Sequence, residues 1–398
     1  MIPKGWDVKP LGELVTIRSG GTPSKSRPDY WGGSVNWFTA KDLKSLTLRE
    51  SELKLSELGA QSSIVVEPGT ILVLTRGMGL LNDVPMGICE QRSAFNQDVK
   101  ALLAHAGVHA RFLLYALANT KHRISNLITT AGHGTCRLET ESLLEHSLFI
   151  PEPSEQAAIA GVLSSCDAVE ERVEALLTAK QRRRKALAQR LLTGKARLSG
   201  FATPWQTSKI GQLLKPVRRP VSWDDSSEYK LLSLRRRSGG AFHRETLLGS
   251  EILTKKMNVA RAGDFLISKM QVVHGAMAMV PQKFDGFHVS DSYLAYTARS
   301  QEQLDMRFFD WLSRLPIMYR KAYISSYGVH IEKMTFNDGL FLGEKVTLPP
   351  TVEEQRAIVE VLEDADREIA LHRAELDALK RQKRGLMQQL LIGKVRVP

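Results

Sequence analysis

Along two long stretches of the chain, mostly apolar side chains recur at alternating steps of four and three. In the first stretch the positions are Ile159, Leu163, Cys166, Glu170, Val173, Leu177, Lys180, Arg184, Leu187 and Leu191. In the second they are Ile358, Leu362, Ala365, Ile369, His372, Leu376, Leu379, Lys383, Leu386 and Leu390. This period is a heptad seam. It predicts two long helices that pair through Ile159, Leu163, Val173, Leu177, Leu187 and Leu191 on one and Ile358, Leu362, Ile369, Leu376, Leu386 and Leu390 on the other. Pro153-Ser154-Glu155 offers Ser154 as an N-cap, Thr351-Val352-Glu353-Glu354 reads as a capping box behind two prolines, and Gly194 and Gly393 supply the stops. Acids crowd the first half of each helix (Glu155, Asp167, Glu170, Glu171, Glu174; Glu354, Glu363, Asp366, Glu368), and bases the second (Lys180, Arg182, Arg183, Arg184, Lys185; Lys380, Arg381, Lys383, Arg384). Antiparallel packing sets acid beside base, whereas parallel packing opposes like charges, so an antiparallel coiled coil is expected. Arg182 to Lys185 reads mainly as a solvated face whose sign suits a helix C-terminus.

The two stretches are copies. Glu155 to Arg197 aligns without gaps on Glu354 to Arg396, and Trp6…Leu11-Gly12-Glu13-Leu14 falls at the same offset from Trp205…Ile210-Gly211-Gln212-Leu213. Between these anchors the halves diverge, which argues for duplication of a whole domain with its helix and for a pseudo-twofold repeat. Thr70 to Thr75, Val99 to Leu103, Phe265 to Ser268 and Tyr293 to Thr297 read as short buried strands. Ala110 to Ala118 and Met306 to Tyr319 read as helices. The fold expected is α+β: mixed α/β domains at 1–152 and 200–350, with helical regions at 153–199 and 351–398. Trp6 and Trp205, at equal positions in the repeat, read as core anchors.

Charge adds a partner class. The chain of 398 residues carries a net charge of +12, which favours a polyanion such as nucleic acid or an acidic membrane surface. No stretch reaches the roughly 18 uninterrupted apolar residues of a spanning helix. Met1 to Asp7 lacks the apolar core of a signal peptide, and Cys89, Cys136 and Cys166 lie far apart, so a cytoplasmic, reducing compartment is expected. Basic, amide and aromatic residues interleave in predicted loops. Arg18, Thr22, Lys25, Arg76, Arg92, Asn96 and Gln97 are the candidate DNA contacts of the first half, and Arg235, Arg236, Arg237, His243, Arg244 and Lys269 those of the second. Arg, Asn and Gln are the side chains that read guanine and adenine edges bidentately, although half or more of such contacts go to phosphates.

Catalytic patterns are weak. Ser19 to Ser26 has serines where a phosphate loop needs glycines, and the ligand spacings of metal sites and the tetrapeptide of adenine methyltransferases do not occur. Asp42, Glu52 and Lys54 have the loose spacing of metal-dependent nucleases, but Glu52-Leu53-Lys54-Leu55 reads as an ordinary charged helix. The chain is therefore expected to hold no metal or cofactor and to perform no chemistry. A self-sufficient nuclease and a coiled-coil scaffold that does not bind DNA are the alternatives.

Gly5-Trp6-Asp7-Val8-Lys9-Pro10-Leu11-Gly12-Glu13-Leu14, then Ser19-Gly20-Gly21-Thr22-Pro23, and the duplicated Glu-Gln-x-x-Ile…Leu-Leu-x-Gly-Lys helices resemble the specificity (S) subunit of type I restriction-modification systems over essentially the whole chain. The resemblance implies two target recognition domains, each reading one half of a split double-stranded DNA target, spaced by the conserved helices. It further implies two methyltransferase (modification) subunits that use S-adenosylmethionine, and restriction/translocase subunits that use ATP and Mg²⁺.

Overall fold

A computed structural model describes residues 3–130, 135–328 and 334–397, so that Met1 and Ile2 of the N-terminal reading lie outside the described residues. The chain divides into two compact units, Met1–Glu174 with Ala374–Pro398, and Ala175–Arg373. In the first unit, one sheet runs in the order Val15–Ser19, Val99–Ala104, Ile71–Leu74, Met86–Cys89, Thr47–Leu48. A second sheet runs Leu53–Leu55, Trp31–Phe38, Ser93–Phe95, Val65–Val66. The second unit repeats both, save that among the described residues no strand of its first sheet stands for Thr47–Leu48: Leu214–Val217, Tyr293–Ala298, Phe265–Ser268, Met277–Met279, and Ala241–Leu248, Glu228–Leu234, His288–Ser290, Met257–Val259. Even the parallel joint inside the second sheet recurs, Trp31–Phe38 with Ser93–Phe95 and Glu228–Leu234 with His288–Ser290. A two-stranded ribbon closes each unit, Asp7–Pro10 on Ser147–Ile150 and Gln206–Lys209 on Lys345–Leu348.

Ile71–Leu74 and Phe265–Ser268 are buried at every position, the continuous run of a strand covered on both faces. Helix Ala110–Asn119 buries Phe112 to Leu117 against the first core. Its counterpart departs from expectation. Met306 to Tyr319 is two helices, Met306–Ser313 and Pro316–Ile324, because Pro316 lacks an N–H and clashes with the preceding turn, so it can only begin a helix. Glu52 to Leu55 is likewise not helical. Leu53–Leu55 is an edge strand with Leu53 exposed and Leu55 buried, a period of two.

The long helices run Pro153–Leu191 and Val352–Leu390. None of the seam positions is exposed. Ile159 and Leu163 share a core with Leu390 and Leu391 in the first unit, while Leu191 and Leu192 share one with Ile358 and Leu362 in the second. Within each unit the pairing is antiparallel. The first joins Asp167 to Lys383 and Glu174 to Lys380 (2.6 Å); the second joins Arg184 to Asp366 (2.8 Å) and Lys180 to Glu368. Exposed ion pairs contribute about 0–1 kcal/mol each, against about 1.5–3 kcal/mol for each large apolar side chain buried. The apolar seam therefore supplies most of the stability and the exposed pairs select the direction, while Asp167–Lys383, largely buried, bears on both. Arg184 belongs to this seam, while Arg182, Arg183 and Lys185 beside it are solvated.

Both helix starts differ from the expected caps. Pro153 is itself helical, which places Ser154 inside the first turn and not at the cap. At the second start the backbone N–H of Glu354 donates to Thr351 Oγ1 at 3.4 Å, but the Glu354 carboxylate does not turn back to complete a capping box. It accepts from Trp205 Nε1 at 3.1 Å and from Arg197 at 2.7 and 2.9 Å. Glu155 repeats the arrangement with Trp6 at 3.1 Å and Arg396 at 2.5 and 2.7 Å. The glutamines that follow fasten each helix to its domain. Gln156 accepts from the His109 N–H and donates to Pro151 and Gly107; Gln355 accepts from the Asp305 N–H and donates to Pro349 and Gln303. Trp6 and Trp205 are thus anchors of the fold.

The first unit carries an acid-sensitive contact. Burial pulls the His146 imidazole down to about 4, with the Arg123 and His122 charges acting in the same direction, and its Nε2 meets Thr120 Oγ1 at 2.9 Å. Unfolding returns the ring to its ordinary 6.5, so between these values the unfolded chain binds the extra proton. Stability is full above about pH 6.5 and is lost as the pH falls through this window. Burial shifts His288 of the second unit the same way. The stability measured by urea unfolding is expected to drop between pH 7.5 and pH 5, with His146 contributing on the order of 2 kcal/mol. His146→Gln should flatten the profile; an equally steep profile in that variant would exonerate His146.

Candidate nucleic-acid interface

In the first unit, Thr22, Lys25, Asn96 and Gln97 line one cleft of about 380 Å³ together with Trp37, Thr39 and Lys41. The loop that carries Thr22 leaves its strand at Gly20, where a Cβ would lie 2.3 Å from the Phe95 carbonyl oxygen and 2.4 Å from that of Asn96. A glycine is required there for close approach of two backbones, and this explains Gly20 without a phosphate. Thr22 Oγ1 donates to Gln97 Oε1 at 2.7 Å, and Asn96 Nδ2 donates to Asp98 at 3.0 Å. The Asn96 carboxamide oxygen is buried without a partner. Arg76 is exposed and joined to the same turn through its N–H to the Asp98 carbonyl (3.2 Å). Arg18 is exposed on its strand opposite Ala101. Arg92 is not among the cleft's residues and pairs with Glu57 at 2.9 Å.

Asp42 and Glu52 reach the cleft, yet they form no nuclease set. Asp42 accepts from the Thr39 N–H and hydroxyl (2.8 and 2.7 Å) and from the Glu52 N–H (2.8 Å), the work of a turn cap. Lys54 pairs with Glu50 at 2.5 Å.

In the second unit the strands Glu228–Leu234 and Ala241–Leu248 form a hairpin whose tip is the run Arg235-Arg236-Arg237-Ser238-Gly239-Gly240. Arg235 lies over the Phe242 ring at 4.4 Å, and Arg236 Nε donates to Gln271 at 2.5 Å. Arg237 and Ser238 hold φ of 57° and 52°. His243 is exposed beside Thr246 (2.9 Å) and edge-on to Phe287, and Arg244 pairs with Glu245. Lys269 lies apart from these, in a cleft of about 250 Å³ with Arg218, Asn258, Asp291 and Tyr293. Asn258 repeats the first unit's chemistry, donating to Asp291 at 3.2 Å with its own oxygen buried and unpartnered.

Sequence reasoning passed over Arg218 and Arg219, which follow directly on Leu214–Val217, the counterpart of Val15–Ser19. The dibasic pair after a strand end was the available signal. Arg219 grips buried Asp264 at 2.6 and 3.1 Å, a hydrogen bond that raises its own pKa and leaves it structural. Arg218 is the exposed one. Among the described residues no helix is long and apolar enough to cross a membrane, and none of their His, Cys, Asp and Glu side chains gather in a group of three or more able to hold a metal.

Residues 3–179 and 203–381 match the type I restriction modification DNA specificity domain. The chain is 33% identical over 175 residues to the type I restriction enzyme MjaIX specificity subunit of Methanocaldococcus jannaschii, covering 42% of this chain and 39% of that one. Against the EcoR124I/EcoR124II specificity subunit of Escherichia coli it is 24% identical over 162 residues, 40% of each, so it spans about two fifths of either of these relatives. Against the MjaVIII specificity subunit of M. jannaschii the match is 21% over 430 residues, covering 100% of this chain and 94% of that one. The fold is similar to that of a type I restriction-modification S subunit from M. genitalium, with a TM-score of 0.60 at 14% identity, covering 98% and 99% of the two chains.

Proposed function

Because the chain belongs to the type I restriction-modification DNA specificity family, we propose that it is the non-catalytic recognition subunit of such a complex, with segments 1–152 and 200–350 each reading one half of a split, asymmetric target in double-stranded DNA. One observation carries this. The two units share the order of eight strands in their two main sheets, yet line their clefts with different polar side chains: Thr22, Lys25, Asn96 and Gln97 in one, Arg218, Asn258 and Lys269 in the other. Equal scaffolds with unequal reading surfaces suit two unequal half-sites, and one chain then mimics a dimer whose symmetry sets half-site spacing. The candidate contacts divide by chemistry. Arg18, Arg76, Arg92, His243 and Arg244 suit phosphates; the clefts and the Arg235–Arg237 tip suit base edges.

The helical regions 153–199 and 351–398 set the spacer and dock two modification subunits. Those subunits bring S-adenosylmethionine, and the restriction/translocase subunits bring ATP and Mg²⁺; this chain binds none of them. The complex works in the cytoplasm, in keeping with the free thiols of Cys89, Cys136 and Cys166.

The chain, co-expressed with its modification subunit and given genomic DNA and S-adenosylmethionine, should yield N6-methyladenine in one split motif of fixed spacing, read by single-molecule sequencing. Methylation without a fixed spacer would sink the two-domain ruler. A stable complex that neither methylates nor binds DNA with a steep salt dependence would leave a scaffold.

A further inference from the structure

We propose that Arg237, alone of the three arginines at the hairpin tip, reads a guanine in the half-site of the second unit; the proposal rests on the recognition role given above. The structure separates three residues that the sequence runs together. Arg235 is engaged by the Phe242 ring and Arg236 by Gln271. The Arg237 side chain is exposed, and its guanidinium has no hydrogen bond, ion pair or ring contact among the described residues.

Its backbone is held in a conformation that L-residues resist. Arg237 and Ser238 take φ of 57° and 52°, although Gly239 and Gly240, which adopt such angles freely, come next. Two backbone bonds enforce it, from the Arg237 N–H to the His274 carbonyl (2.7 Å) and from the Ser238 N–H to the Gly275 carbonyl (3.0 Å). The Ser238 hydroxyl meets that of Tyr319 at 2.7 Å, and the Tyr319 ring fills the space where a Cβ of Gly275 would stand. Strain kept at a non-glycine residue and over-determined from behind marks a side chain whose direction matters. A guanidinium has donors only, in a planar fork. Guanine's major-groove edge offers two acceptors, O6 and N7, whereas adenine and cytosine present an amino donor that the fork would oppose.

The test compares Arg237→Ala, Arg237→Lys and Arg237→Gly with the wild type, in the full chain with its modification subunit, by methylation mapping and by thermal melting. The Ala variant should lose guanine at one position of one half-site, with discrimination falling about 5- to 150-fold and the other half-site intact, while the Lys variant, whose ammonium can still donate to O6 and N7, should keep part of that discrimination. Arg237→Gly should lose the same position while melting no lower than the wild type, which separates lost reading from lost folding. A motif unchanged in all three variants overturns the proposal. So does a motif that Lys preserves while Ala weakens binding to all sequences and lowers the salt slope by about one, the mark of a phosphate contact. If the wild type itself yields no split motif, the recognition role fails and the proposal falls with it; a wild-type motif indifferent to Arg237 defeats the proposal alone.

Discussion

Glu354→Ala is expected to destabilise the second unit by about 3–5 kcal/mol, the cost of removing one member of a buried ion pair. The Glu354 side chain is 2% exposed and accepts from both Arg197 and Trp205, so its loss strands a half-buried guanidinium and an indole N–H together. Glu155→Ala breaks the matching set in the first unit, but there the arginine is 50% exposed and water can replace the carboxylate. That variant should lose only about 1–3 kcal/mol. Urea unfolding of both variants decides the matter. Equal losses would mean that the two acids act through the first turns of their helices, where their positions are equivalent, and not through the triads.

Gly275→Ala should cost about 2–5 kcal/mol, combining left-handed backbone strain with overpacking. Gly275 sits at φ 77°, and an added methyl would meet the Tyr319 ring at 2.3 Å. The ring must move, and with it goes the hydroxyl contact that steadies Ser238 at the hairpin tip. Recognition by the second unit should therefore blur while the first keeps its half-site. Tyr319→Ala in the Gly275→Ala background should return the steric part and leave the backbone part. If Gly275→Ala costs as much in the Tyr319→Ala background as in the wild type, the damage lies in the backbone only.

The repeat, both long helices and their direction were legible because each rests on local information: a heptad period names the seam face residue by residue, and charge polarity along the helix chooses the partner's direction. The sheets were legible only in part. Central strands such as Ile71–Leu74 announce themselves by continuous burial, but Leu53–Leu55 is too short for its alternation to outweigh the charged residues around it. Nothing in the sequence marks the pairing of Trp31–Phe38 with Ser93–Phe95, which depends on long-range closure. The site followed the same division. Residue types suited to DNA could be named, but the meeting of Thr22 and Lys25 with Asn96 and Gln97 is tertiary, as is the distinction among Arg235, Arg236 and Arg237.

The first unit is assembled from both ends of the chain, Met1–Glu174 and Ala374–Pro398, whereas the second, Ala175–Arg373, is continuous. On the ribosome this inverts the usual order. The N-terminal unit emerges first but must wait for its last strip, and at about 5–20 residues per second the intervening length takes on the order of 10–40 s to translate. Through that interval Ile159 and Leu163 lack Leu390 and Leu391, and Glu155 lacks Arg396, and at its end the later unit has all its residues before the first does. The nascent chain thus carries an open apolar groove throughout the synthesis of its second half. That window is when a chaperone or a misplaced helix would find it.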